Sequence, residues 1–100
     1  MEVFLIKTIS IDEYDDEFGI KWNSQNDGLF FSIETATQVI ENNWGDISEC
    51  GTNEYAVIIR TNGGLYPTVQ EMGWYWWNEQ TKSYQSCDRP GFMDGWLLTL

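Results

Sequence analysis

The spacing of apolar residues changes along the chain, and each change predicts an element. Val3 to Ile9 is a nearly unbroken apolar, β-branched run, the pattern of a strand covered on both faces. Phe18, Ile20 and Trp22 then alternate with polar residues, which predicts a short strand from Phe18 to Asn23. Asn26-Asp27-Gly28 is a turn signal, and Leu29 to Ile33 follows as the return strand of a hairpin. From Glu34 to Trp44 the period becomes helical, with Ala36, Val39, Ile40 and Trp44 on one stripe. Thr35 and Gln38 have capping-box spacing, and Gly45 supplies a stop. A helix of about ten residues is too short to stand alone in water, so it must bury its stripe against the sheet.

Two more strands are predicted in the second half. Glu54 to Thr61 is rich in β-branched residues and is closed by Asn62-Gly63-Gly64. Val69 to Asn78 alternates Met72, Trp74 and Trp76 with Tyr75 and Trp77, which assigns the first three to the core and the other two to the opposite side. Pro67 cannot donate to a ladder, so it belongs at the start of that strand or at an edge. A short strand around Tyr84 and a last one over 95–100 complete an expected α+β fold. The expectation is a single domain over 1–100: a twisted, mostly antiparallel sheet of six or seven strands with one short helix on a face.

Composition sharpens this picture. An aromatic content of 16%, with six Trp, is too high for a disordered chain, even at a net charge of −11. The chain should therefore fold. Only Cys50 and Cys87 are present, which is not the density of a secreted disulfide scaffold, so both are read as thiols. The sequence has no basic leader and no long apolar run, and the expected location is the cytoplasm.

The charge is uneven along the chain. Residues 1–54 hold twelve acids against Lys7 and Lys21, whereas residues 55–100 hold four against Arg60, Lys82 and Arg89. Asp12, Glu13, Asp15, Asp16 and Glu17 crowd around Tyr14, and such a cluster repels itself inside a sheet unless cations face it. Ser10 to Glu17 is therefore expected on a loop or exposed turn. The bland reading of that loop is solubilising charge, and the sharper one is a docking surface for a basic partner. Trp44, Tyr75 and Trp77 are the aromatics expected to join it, because large rigid rings concentrate at binding hot spots.

The reagents of catalysis are scarce. Without histidine there is no Ser-His or Cys-His dyad, and five cations offer little to activate a thiolate. Asn23, Gln25, Asp27, Gly28 and Glu34 match part of a twelve-residue calcium loop, but Asn and Gln stand where carboxylates should, and the preceding segment is strand-like. Zinc lacks a ligand set, and Asn62-Gly63-Gly64 leads to a strand, not to the helix that a phosphate loop needs. No cofactor or metal is expected, and no enzymatic activity.

What remains is binding. A small acidic aromatic domain suits the basic cleft of a protein that handles nucleic acid, since its carboxylates can lie where phosphates would. The leading expectation is an immunity protein that neutralises a bacterial nuclease toxin. The same physics would serve a phage-encoded anti-CRISPR or anti-restriction protein that mimics DNA. Two readings from other classes are a carbohydrate-binding module, with Trp74, Trp76 or Trp77 and Tyr75 as a stacking platform, and a structural subunit of a larger assembly. Direct contact with nucleic acid or an anionic membrane is electrostatically disfavoured.

Overall fold

The computed structural model describes residues 2–15, 19–62 and 68–93, with the backbone alone for 13–15. Strand β1 (Glu2–Asp15) begins as its apolar run predicts and then continues through much of the acidic segment. The expected loop at Ser10–Glu17 is therefore corrected for residues 10–15, which pair with the start of β2 (Gly19–Phe30). Two features relieve the repulsion that argued for a loop. Lys21 stands opposite Glu13 in the register, and Asp12 lies in a register shift where the Asn23 side-chain amide donates to its carboxylate. Asp16, Glu17 and Phe18 lie outside the described residues.

The predicted turn at Asn26-Asp27-Gly28 is also corrected. Strand β2 runs straight through it, pairing Asn26 with Lys7 and Leu29 with Leu5, so Asp27 and Gly28 form a bulge opposite Ile6. The long partner strand β1 recruits these residues into its ladder, which outweighs their local turn preference. Gly28 sits at φ +148°, and an added Cβ would meet the Phe30 ring at 2.7 Å. Gly28→Ala is expected to cost about 1–3 kcal/mol through backbone and steric strain. Urea unfolding checks this, and an unchanged midpoint would contradict the bulge.

Helix α1 (Ile33–Glu41) is capped by Ser32, whose hydroxyl accepts from the Thr35 N–H at 3.1 Å. It buries Ala36, Val39 and Ile40 against the sheet. It stops before Trp44 because Asn43 turns left-handed at φ +49°, and Trp44–Asp46 forms a separate 3-10 turn. Trp44 thereby leaves the buried stripe on which helical periodicity placed it.

Strands β3 (Asn53–Asn62), β4 (Val69–Asn78) and β5 (Ser83–Cys87) complete an open antiparallel sheet in the order β2-β1-β3-β4-β5. The fold is α+β, with five strands among the described residues where six or seven are expected. The two strands expected in the hairpin are joined as the single strand Gly19–Phe30, with Ile33 already in α1, and the strand expected at 95–100 lies outside the described residues, as do Gly63, Gly64 and Pro67.

Both faces of the sheet carry apolar clusters. On the helix side Phe4, Ile6, Ala56, Ile58 and Tyr84 pack with Ala36, Val39, Ile40 and Ile47. On the other side Ile9, Val57, Ile59 and Trp74 pack with Met93 from a second 3-10 turn (Gly91–Met93). Lys7 lies buried, and the loss of hydration pushes its ammonium pKa down. In β4 the register slips between the partners of Ile58 and Ile59, which moves Met72 to the helix side with Tyr75 and Trp77. The expected joint burial of Met72, Trp74 and Trp76 is thus corrected: Trp74 is enclosed, Met72 packs on the other face, and Trp76 is 40% exposed. Among the described residues, no helix is long and apolar enough to cross a membrane.

The strands give the molecule two ends. One holds residues 10–15 of β1, the starts of β2, β3 and β5, the close of β4 and the turn that follows α1; the other holds Glu2 to Leu5, Leu29 to Phe31, Arg60 to Asn62 and Val69 to Glu71.

Candidate functional site

The segment from Asn43 to Thr52 forms the first of these ends. Its backbone is folded tightly, with positive φ at Asn43, Gly45, Asp46, Glu49, Cys50 and Gly51. Left-handed geometry costs a non-glycine residue about 1 kcal/mol, so four such residues need compensation. Asp46 supplies it: its carboxylate accepts from the Asn43 amide at 3.1 Å, the Ser48 hydroxyl at 2.9 Å and the Cys50 N–H at 3.2 Å. Asn43 closes the ring by accepting from the Ser48 N–H at 3.0 Å.

These bonds, that from Asn43 foremost, hold the Asp46 carboxyl below its ordinary pKa. A lowered folded value means the stabilisation is complete above the unfolded pKa of about 4 and disappears as pH falls through the lower one. Asp46 thus props the turn at neutral pH.

The turn is also anchored to the sheet. Ile47 and Ser48 are buried, the Asn53 amide donates to the Ile47 carbonyl at 2.8 Å, and the Tyr84 hydroxyl donates to the Asn53 carbonyl at 2.6 Å. Gly51, at φ +89°, lets Trp77 and Glu79 approach closely: a Cβ there would lie 2.9 Å from the indole nitrogen and 2.8 Å from a carboxylate oxygen. The Trp77 N–H donates to Glu79 at 2.8 Å, and Lys82 pairs with the same carboxylate.

Carboxylates collect around this scaffold from several elements. Asp27 of β2 accepts from Thr8 of β1 and from the Gln25 amide, which also donates to Glu49 at 3.2 Å. Asp12 is held by Asn23 nearby on β1 and β2. The turn thus joins Asp46 and Glu49 to Asp27 and Glu79, while Asp12 lies on β1 at the same end of the sheet. Tyr84 registers the result. Its phenol pKa is raised strongly, first by burial and then by Asp27, Asp46 and Glu49 together.

A raised phenol pKa leaves stability intact below the unfolded value of about 10 and erodes it as pH climbs towards the folded one. Tyr55 and Tyr75 are shifted the same way, chiefly by burial. Alkaline denaturation is therefore expected to set in above pH of about 10, with tyrosinate absorbance rising together with loss of structure. Tyrosinate formation in a fully folded chain near that pH would contradict the burial assigned to Tyr84.

The sequence-predicted residues are distributed unevenly over this site. Asp12 lies on β1 at the same end, bonded to Asn23. Glu13, Tyr14 and Asp15 continue the β1 backbone at the same end, while Asp16 and Glu17 lie outside the described residues. Trp44 projects from the 3-10 turn and is 51% exposed. Trp77 is half-buried beside Gly51 and stacks edge-on against Tyr84 with ring centroids 5.1 Å apart. Tyr75 is half-buried on the helix-side core. Sequence reasoning missed Asp27, Asp46, Glu49 and Glu79. Asp27 is read there as part of a turn and of a partial calcium loop, and Asp46 carries a turn signal of its own in Gly45-Asp46.

The partial calcium pattern from Asn23 to Glu34 is stretched along β2 and into α1, and among the described residues no three Cys, Asp or Glu side chains are grouped so as to hold a metal ion. Cys50 is an exposed free thiol, and Cys87 is a half-buried one whose pKa is raised by burial and by Asp88. Comparison with protein-family models, curated proteins and solved structures returned no match.

Proposed function

We propose that this protein acts by binding, presenting its acidic end to the basic cleft of a nucleic-acid-handling partner, and that it is the immunity protein of a bacterial nuclease toxin. The observation that supports this most is the collection of Asp27, Asp46, Glu49 and Glu79 around a turn fixed by Asp46, with Asp12 on β1 at the same end and Trp44 exposed on the turn. Carboxylates fixed in advance lose little entropy on meeting Lys or Arg, and summed charge steers the encounter. Trp44 offers an aromatic face to a cation or an apolar pocket. Lys82, the cation at the margin of the cluster, is engaged by Glu79.

The same surface would serve a phage anti-defence protein that imitates DNA charge. The sugar-platform reading has less support, because Trp74 and Trp76 face one side of β4 while Tyr75 and Trp77 face the other.

The test is capture on the immobilised chain from the source cell, beside a triple variant Asp12→Asn, Asp27→Asn, Glu49→Gln. A basic nuclease held by the wild type, released by salt and lost by the variant supports the reading. Retention of a CRISPR or restriction subunit would favour the phage alternative. Equal capture by both chains, or binding of oligosaccharides alone, would overturn the electrostatic mechanism.

A further inference from the structure

The three lysines of the chain have unlike surroundings. Lys82 pairs with Glu79, and Lys21 stands opposite Glu13 in the register. Lys7 lies within β1 and is only 7% exposed. Alternation along β1 sends Phe4 and Ile6 to the helix-side cluster and Leu5 and Ile9 to the other, so Lys7 shares the face of Leu5 and Ile9. Its register partners are Asn26 on β2 and fully buried Val57 on β3. Glu71 and Arg89, which border the same cluster beside Trp74 and Met93, bond to each other at 2.9 Å. Among the described residues no hydrogen bond or ion pair reaches the Lys7 ammonium. None of their enclosed side-chain nitrogens lacks a partner, so the Lys7 tip opens to water while its stem is covered.

We propose that Lys7 is a carbonyl-reactive amine that condenses with short aliphatic aldehydes. A covered ammonium without a carboxylate beside it is costly, and the cost is met by releasing the proton. Burial lowers the Lys7 pKa, which raises the share of free amine near neutral pH. A desolvated lysine of this kind is the usual origin of a nucleophilic amine. In the reaction the neutral Nζ attacks the carbonyl carbon, the new C–N bond becomes an imine, and the carbonyl oxygen departs as water with both amine protons. The neutral imine suits apolar surroundings better than the ammonium does. Leu5, next but one along β1, and its partner Leu29, which is 52% exposed, offer an aliphatic rim to the tail of the aldehyde.

Reaction of the folded chain with butanal tests this at a pH of about 7, where an ordinary lysine is almost wholly protonated. Cyanoborohydride traps the imine as a stable amine, and peptide mass spectrometry reads the rate at each lysine. Lys7 is expected to be alkylated about ten-fold faster than Lys21 and Lys82, or more, because each unit of lowered pKa gives ten-fold more free amine. In urea the three should react alike. Lys7→Met keeps the length of the side chain and removes the amine, so it should lose the fast adduct while circular dichroism and the urea midpoint hold. Equal rates at the three lysines of the folded chain, or a slower rate at Lys7, overturn the inference. So does a Lys7 rate that urea leaves unchanged. A clear fall in the midpoint of Lys7→Met would show that a partner holds the ammonium, and overturns it as well.

Discussion

Neutralising three carboxylates with Asp12→Asn, Asp27→Asn and Glu49→Gln is expected to slow association with the basic partner by about 10- to 100-fold at low salt. The substitutions keep size and leave one acceptor oxygen at each position in place of two. Thr8 can still donate to an amide oxygen at position 27, and Gln25 to one at position 49, so the scaffold around Asp46 is left whole. The effect should lie in the association rate, because steering acts before contact, and the dependence of that rate on salt should flatten. Trp44→Ala is expected to act on the other side of the equilibrium: losing an exposed aromatic anchor should speed dissociation by about ten-fold or more with little change in association. Stopped-flow measurements across a salt series separate the two. An unchanged association rate in the triple variant would remove electrostatic steering from the mechanism.

The largest effect on stability is expected from Ile58→Ala. Ile58 is 1% exposed in the centre of β3, in the cluster that joins the sheet to α1 and Ile47. Truncating such a side chain forfeits its transfer free energy and leaves a cavity, a loss of about 2–5 kcal/mol. That is a large fraction of the roughly 5–15 kcal/mol that holds a domain folded. Because Ile47 packs in the same cluster and anchors the acidic turn, the cost should appear at the turn as well. Urea unfolding followed by Trp fluorescence and by circular dichroism should move together to lower midpoints. A change below about 1 kcal/mol would mean that the helix-side cluster does not carry the fold.

Elements with a sustained pattern are legible in the sequence. The apolar run of β1, the β-branched run of β3, the alternation of β4 and the stripe of α1 all form where periodicity puts them, because burial of a periodic face decides them. The acidic stretch and Asn26-Asp27-Gly28 depart from expectation for a shared reason. Each has a strong local preference, and each is overruled by pairing along a β1 strand of 14 residues that can absorb charge at Lys21 and a surplus residue at a bulge. Met72 changes faces through another bulge, which leaves no mark in the alternation itself.

The site is legible in charge and not in shape. The excess of acids in the first half points to an electrostatic feature, but adjacency in sequence singles out residues 12–17. The turn brings Asp27, Asp46, Glu49 and Glu79 together through contacts between residues far apart in sequence, such as Gln25 with Glu49 and Gly51 with Glu79. No spacing rule reports such contacts. Trp44 is an exposed ring, as its candidacy for binding requires, although helical periodicity puts it on the buried stripe.

Whether the acidic end is the contact surface is tested most directly by mapping amide chemical shifts of the labelled chain upon saturation with the captured partner. The expected perturbations cover residues 43–52, with Asp12, Gln25 to Asp27 and Trp77 to Glu79, while Leu29 to Phe31 and Val69 stay unmoved. Perturbations confined to Leu29, Phe31 and Val69, or to the Trp74 and Trp76 side of the sheet, would contradict the account.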